Sequence, residues 1–185
     1  ESLLLPAAEW WRLFDENSPA VQGFMARTYG AVPQLHAEKR REYLTALGSF
    51  MEAYGGERPA LLVRSPGRVN LLGRHVDHRG GNTNVIAISD EILMVASPRD
   101  DDRIRLRNTQ GELFAEAEFS LSEDIARLDW ADWLTCINSP KTLAMVSGGD
   151  WSNYVRAAAL RLQERFRRHP LCGVDIMAHG TIPVG

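Results

Sequence analysis

The stretch Ser65-Pro66-Gly67-Arg68-Val69-Asn70-Leu71-Leu72-Gly73-Arg74-His75-Val76-Asp77-His78-Arg79-Gly80-Gly81-Asn82 holds the densest group of chemically special residues in the chain. It follows a short apolar run, Ala60 to Arg64, with the length and composition of a buried strand. Polar residues and glycines placed directly after a strand are what a ligand-contacting loop on a rigid scaffold requires.

Three chemistries compete for this loop. Imidazole and carboxylate suit zinc or manganese, which makes His75, Asp77 and His78 candidate metal ligands. Their spacing is part of the His-x-His-x-Asp-His pattern of metallo-β-lactamase-like hydrolases, but Gly73 stands where the first His belongs, and Arg74 and Arg79 would flank the cation. In the second reading Gly80-Gly81-Asn82 marks a plain turn whose charges are solvated. In the third the loop recognises a polyol. Asp77 accepts from two adjacent hydroxyls while His75 and Arg74 donate to neighbouring oxygens. Arg68, always charged, stabilises charge that develops on a reacting oxygen or a transferred phosphoryl group.

Upstream of this loop, residues 1 to 35 carry Trp10, Trp11 and Phe14, then Pro19, Gly23, Gly30 and Pro33, and read as short helices. From Glu38 the positions Leu44, Leu47, Phe50, Met51 and Tyr54 recur at helical spacing, and Gly55-Gly56 ends that helix. Downstream, Asn84 to Ile88 and Glu91 to Ala96 read as two strands. Arg103 to Phe119 alternates around a turn at Asn108 to Gly111. In that hairpin Ile104 and Leu106 point one way and Arg103, Arg105 and Arg107 the other. Glu112, Glu116 and Glu118 oppose the arginines, which reads as cross-strand ion pairing on a solvated face.

Ser122 to Trp133 is a weak helix and Asn138 to Gly149 is loop-like. Asp150 reads as the N-cap of a helix whose apolar stripe is Trp151, Tyr154, Val155, Ala158, Leu162 and Phe166. Its last turn carries Arg165, Arg167 and Arg168, which complement the helix dipole. A strand from Gly173 to Ala178 then runs into Thr181-Ile182-Pro183-Val184-Gly185. Helix, several strands, helix and strand is an α+β order, with no repeat or linker-like segment dividing it.

Composition bounds the function. The 185 residues are 44% hydrophobic and 24% charged with a formal net charge of −3, enough for one core or one domain plus an appendage. A slightly acidic balance excludes the basic footprint that nucleic-acid binding needs. No apolar run approaches the ~18 residues of a membrane span. Cys136 and Cys172 are too few for a disulfide framework or a zinc cluster, which fits the cytoplasm. No signal peptide is evident, and a start at Glu1 rather than Met suggests a trimmed beginning.

The run Gly67 to His78 resembles the sugar-binding signature of galactokinases, G-R-V-N-L-I-G-E-H-x-D-Y, at unbroken spacing, within the GHMP small-molecule kinase superfamily. Asp150 to Arg156 resembles the family's W-x-N-Y-V-K-G segment. Gly173 to Gly185 resembles the strand leading into its phosphate-binding loop, P-x-G-x-G-L-S-S-S, which would begin at Pro183 and Gly185. The resemblance spans about residues 45 to 185. It implies the α+β fold of the GHMP-kinase N-terminal domain, a mixed sheet with helices on one side. Residues 1–40 would be an N-terminal helical extension, and residues 41–185 an incomplete domain carrying the signature at 65–82.

By resemblance, Arg68 is the transition-state stabiliser near the transferred phosphoryl group and the anomeric hydroxyl. Arg74, His75, Val76 and Asp77 contact the substrate, with Asp77 unchanged from the family pattern and a turn-capping role as its alternative. A family aromatic near Trp151 and Tyr154 helps enclose adenine, but both residues lie on the apolar stripe, so core packing is expected of them. Two departures stand out. Arg74 replaces a Glu that accepts from a hydroxyl near C6 of the sugar, and His78 replaces a Tyr.

A donor-only guanidinium inverts recognition at C6 and would pair with a carboxylate there, as in galacturonate; alternatively Arg74 turns to a phosphate or a surface acid. The stretch Asp77-His78-Arg79-Gly80-Gly81 is also similar to the Asp-His-x-Gly-Gly of galacturonate-type kinases. The implied reaction is transfer of a phosphoryl group from ATP, with Mg²⁺, to the anomeric hydroxyl of a monosaccharide. The remainder of the same kinase chain would supply the nucleotide site, and the fragment alone would be inactive. A catalytically silent sugar sensor that regulates transcription is the alternative. The oligomeric state is not legible.

Overall fold

The computed structural model describes residues 4–73, 76, 79–128, 133–146 and 148–183. The chain divides into two compact units, residues 1–95 with 177–185, and residues 96–176. The strands take the order β1-β2-β3-β6-β4-β5 in one mixed sheet, where β1 is Leu5–Pro6, β2 Pro59–Leu72, β3 Asn84–Pro98, β4 Arg103–Asn108, β5 Ala117–Ser120 and β6 Val174–Gly180. This is the expected α+β class.

The first unit is built on three helices, α1 (Ala7–Asp15), α2 (Pro19–Tyr29) and α3 (Pro33–Tyr54). Orphan amides at the start of α1 are bonded by the main chain ahead of β2, Ala7 N to Arg58 O and Ala8 N to Gly56 O. Ser18 caps α2 by accepting from Val21 N, with Pro19 at the first helical position.

The third helix begins at Pro33 rather than at Glu38, because a proline at the first helical position gives up no intrahelical bond and presets φ. It ends as expected at Gly55, whose φ of 94° is open to glycine. Its buried face is Lys39, Tyr43, Ala46, Leu47 and Phe50. The ring of Phe14 stacks on Tyr43 at 4.6 Å and Phe24 meets both edge-on, forming an aromatic core with Val21, Met25, Leu93, Val95 and Met177.

Two expectations for the strands of this unit are corrected. The loop expected after Arg64 is strand as far as Leu72, and the two strands expected at Asn84 to Ile88 and Glu91 to Ala96 are one strand, β3. The pairing with β1 covers only Pro59 and Ala60, so Pro66, which lacks an N–H, sits where no ladder bond to β1 is demanded of it. The charged pair Asp90-Glu91 does not break β3, because Glu91 is fully buried with partners of its own.

In the second unit β4 and β5 pair antiparallel, with Arg103 opposite Ser120 and Arg105 opposite Glu118. The expected charge pairing is present: Arg103 to Glu118 at 2.6 Å, Arg105 to Glu118 at 2.7 Å and Arg107 to Glu116 at 2.9 Å. Ile104 and Leu106 are buried, while Glu112 lies in the turn rather than on the return strand. Helix α4 (Leu121–Arg127) is capped by Ser120, which accepts from Glu123 N. Helix α5 is Trp133–Ile137.

Where a loop was expected from Asn138 to Gly149, α6 (Pro140–Val146) forms, since Ser139 Oγ accepts from Thr142 N ahead of a first-turn proline. Helix α7 is Ser152–Arg165, and Asp150 Oδ1 accepts from Ser152 N at 2.7 Å, although the helical turn is already entered at Trp151.

The stripe expected on α7 is not its buried face. Ser152, Ala159 and Leu160 are buried, Tyr154 is 85% exposed, and Leu162 and Phe166 are exposed. The rotation of α7 is set by Arg156, which pairs with Asp124 of α4 at 3.1 Å and lies 4.6 Å over the Phe119 ring. Trp151 is half-buried, donating to Ala115 O and meeting Phe114 edge-on. No helix of the described residues is long and apolar enough to cross a membrane.

Candidate functional site

The expected site residues that the structure describes, Arg68, Val76 and Pro183, all lie in the first unit. Arg74, His75, Asp77, His78 and Gly185 lie outside the described residues, so the metal, turn and sugar-contact readings of those side chains rest on the sequence. On β2 Gly67 is buried and Arg68 is exposed. A Cβ on Gly67 would sit 2.9 Å from Asp90 O and 3.0 Å from Ile88 Cγ1 of β3, so glycine is what lets β3 approach beside Arg68. The Arg68 side chain makes no ion pair with another described residue and is free to meet an anionic group.

After Leu72 the chain turns at Gly73, whose φ is 80° and whose Cβ, were there one, would fall on the Asn82 carbonyl oxygen. The loop then winds on Val76. Its N–H donates to Gly73 O, and its carbonyl accepts from Arg79 N at 3.0 Å and Gly81 N at 2.9 Å. The backbone on either side of residues 74, 75, 77 and 78 is therefore tied by hydrogen bonds. That suits a loop presenting polar side chains to a ligand.

Toward the far end of β2 and β3 from this loop lies a buried polar group that the sequence reading did not single out. Glu91 accepts from Arg64 Nε at 2.6 Å and from the Tyr29 hydroxyl, and Lys39 Nζ is 4.0 Å away. Lys39, itself buried, pairs with Glu42 at 2.8 Å. Burial pushes the Tyr29 phenol far above its ordinary range, with the Glu91 bond adding to it, and pushes the Tyr43 phenol up to about 12. Burial is the largest single influence on Arg64 and opposes its charge, yet the Glu91 hydrogen bond and the electrostatic attraction of Glu91, Tyr29 and Tyr43 together outweigh it and the pKa rises.

The main chain of Glu91 meets Thr181, past the end of β6. Glu91 N donates to Thr181 Oγ1 at 3.0 Å and Thr181 N donates to Glu91 O at 3.0 Å. Two residues on, Pro183 is exposed. A charged pair in the middle of an otherwise apolar run was the signal that would have pointed to Glu91.

In the second unit, a groove of about 460 Å³ with Leu121, Ile125, Pro170 and Leu171 in its wall contains none of the expected site residues. Its Asp102 and Gln163 are already bonded, to Ser120 and Ser122 and to Leu171 N respectively.

Residues 48–98 match the family model described as the galactokinase galactose-binding signature, a span that takes in β2, the Gly73 loop and β3. A galactokinase of Enterococcus faecalis is 32% identical over 139 residues, 75% of this chain and 30% of the relative. The crystal structure of Lactococcus lactis galactokinase complexed with galactose superposes with a TM-score of 0.55 at 24% identity, covering 74% of this chain and 30% of that one. The Methanococcus jannaschii mevalonate kinase structure gives a TM-score of 0.45 at 17% identity, covering 68% and 33%.

The fold is that of the matching part of the Lactococcus lactis galactokinase structure. The chain is galactokinase-like in sequence as well. It spans 30% of the length of the curated relative it matches.

Proposed function

We propose that the chain is the sugar-recognising part of an ATP-dependent sugar 1-kinase of the galactokinase type, with residues 1–40 a helical extension and 41–185 part of the kinase domain. The observation that carries this reading is the match of residues 48–98 to the galactose-binding signature, over the strand that holds Arg68 exposed and the loop that begins at Gly73. ATP with Mg²⁺ would supply the phosphoryl group. The part of this chain in the chemistry is recognition and electrostatic support. Asp77 and His75 hold and orient the sugar hydroxyls, and Arg68 offsets the negative charge that builds on the transferring group.

Arg74 points to a sugar with a carboxylate at C6, a uronic acid such as galacturonate, because a guanidinium only donates and pairs with a carboxylate through two charge-assisted bonds. Neither Cys136 nor Cys172 is in a disulfide, in keeping with a cytoplasmic location. The test is incubation of the intact protein with ATP, Mg²⁺ and galactose or galacturonate, followed by phosphorus NMR. A sugar 1-phosphate is expected. Phosphate appearing only as free orthophosphate, or on a hydroxyl other than the anomeric one, contradicts the reading.

A further inference from the structure

Burying an ionised carboxylate in a strand is costly unless every charge around it is matched, and an apolar residue would serve the sheet better. Glu91 is fully buried nonetheless, with Arg64, Tyr29 and Lys39 of three different elements turned toward it. Its connections have a direction. Arg64 lies on β2 four residues before Arg68, and side chains an even number of residues apart on a strand share a face. At the other end, the Glu91 N–H is given to the side-chain hydroxyl of Thr181, and Thr181 precedes Pro183 by two residues.

We infer that Glu91 is a positioning residue: its carboxylate on Arg64 and its main chain on Thr181 set where the segment entering the phosphate loop lies relative to the strand that carries Arg68. This rests on the sugar-kinase reading above, which supplies the phosphate loop after Pro183. The helical extension belongs to the same device, since α2 contributes Tyr29 and α3 contributes Lys39. Phosphoryl transfer depends on the donor lying in line with the acceptor, and displacement of about 1 Å costs about a hundredfold. A residue that holds both sides therefore acts on the reaction without touching it.

The test uses the intact protein with Thr181→Val, Thr181→Ser and Glu91→Gln. Valine keeps the shape of threonine but loses the hydroxyl, and serine keeps the hydroxyl. Two readouts are taken: local amide hydrogen exchange at Glu91 and over residues 179–182, and the KM for ATP against the KM for the sugar. For Thr181→Val, exchange rises at the Glu91 amide, which loses its acceptor, and in residues 179–182, but not elsewhere in the unit, and the ATP KM rises about fivefold, the worth of one hydrogen bond. The sugar KM stays within about twofold, and Thr181→Ser returns both readouts toward the parent.

Glu91→Gln shows the same pattern more strongly if it folds, and Thr181→Val decides the matter if it does not. Parent-like exchange and ATP KM in Thr181→Val, or a rise in both KM values with exchange faster throughout the unit, overturns the inference. A parent that transfers no phosphoryl group refutes the kinase reading instead, and the exchange measurement still decides whether Glu91 holds the segment.

Discussion

Gly73 and Asn82 pack so closely that the Asn82 carbonyl oxygen occupies the place a Gly73 side chain would take. Gly80, in the same loop, also has a positive φ, 77°, but among the described residues nothing lies within 4 Å of its would-be Cβ. The two glycines therefore separate backbone strain from collision. A left-handed non-glycine residue costs about 1–2 kcal/mol, so Gly80→Ala should lose stability in that range. Gly73→Ala adds a collision with the main chain that closes the loop, and should lose more stability and most of the sugar affinity. Urea denaturation and calorimetric sugar titration measure the two, and equal losses for both variants would contradict the packing argument.

Arg68 stands exposed on β2 and forms no ion pair with another described residue. Its removal should leave stability within about 0.5 kcal/mol, as for an ordinary surface change. In the intact protein Arg68→Ala should lower the rate of sugar phosphorylation by about 10²–10³, the cost of losing one stabilising donor at a transition state. Arg68→Lys keeps the charge without the planar fork and should recover only part of that rate. Denaturation midpoints and steady-state kinetics check both halves; a large loss of stability would make Arg68 structural.

Arg74 makes the sugar specificity testable by charge reversal. If the guanidinium pairs with a C6 carboxylate, the parent protein prefers galacturonate to galactose. Arg74→Glu then reverses the preference by about 10–100-fold, since a hydrogen bond to a charged group contributes about 1.5–3 kcal/mol. The ratio of kcat/KM for the two sugars is the measurement. A parent that prefers galactose, or a variant with an unchanged ratio, removes Arg74 from the recognition of C6.

Where a local signal was uncontested, the sequence was readable. Gly55 stopped α3, and alternation with opposed charges paired β4 with β5, although the register, Arg103 opposite Ser120, goes with a longer turn than the Asn108 to Gly111 expected. The misreadings share a cause, which is tertiary compensation that no local pattern displays. Glu91 read as the first residue of a separate strand after a break at Ser89-Asp90, because the partners that make a buried Glu91 tolerable inside one continuous strand lie 27 and 62 residues away, at Arg64 and Tyr29. The apolar stripe of α7 read as its core face because the Asp124–Arg156 pair that sets its rotation joins two separate helices. The missed α6 was different: Ser139-Pro140 with Thr142 is a capping signal present in the sequence. Of the site, Arg68 was singled out by residue type and by the resemblance, whereas the turn was expected at Gly80-Gly81-Asn82 and not at Gly73, and Thr181 was not legible because its role depends on its meeting with Glu91.

The last prediction concerns pH. His179, on β6, has its pKa lowered chiefly by burial, with Lys39 lowering it further and Glu42 raising it. A base whose folded pKa lies below its unfolded value of 6.5 binds its proton first in the unfolded state. Stability is then fully present above pH 6.5 and is lost as pH falls from there through the lower folded pKa. The slope is at most about 1.4 kcal/mol per pH unit, and smaller for a ring that keeps some contact with solvent. Asp102 and Asp150 titrate separately. Hydrogen bonds at Ser122 and Ser152 hold their carboxyls below the usual 3.8, so their contribution is lost only in stronger acid. Urea denaturation at pH 7, 6 and 5 should show stability falling over that range in the parent and nearly flat in His179→Gln. An unchanged slope in the variant would place the proton uptake on another group.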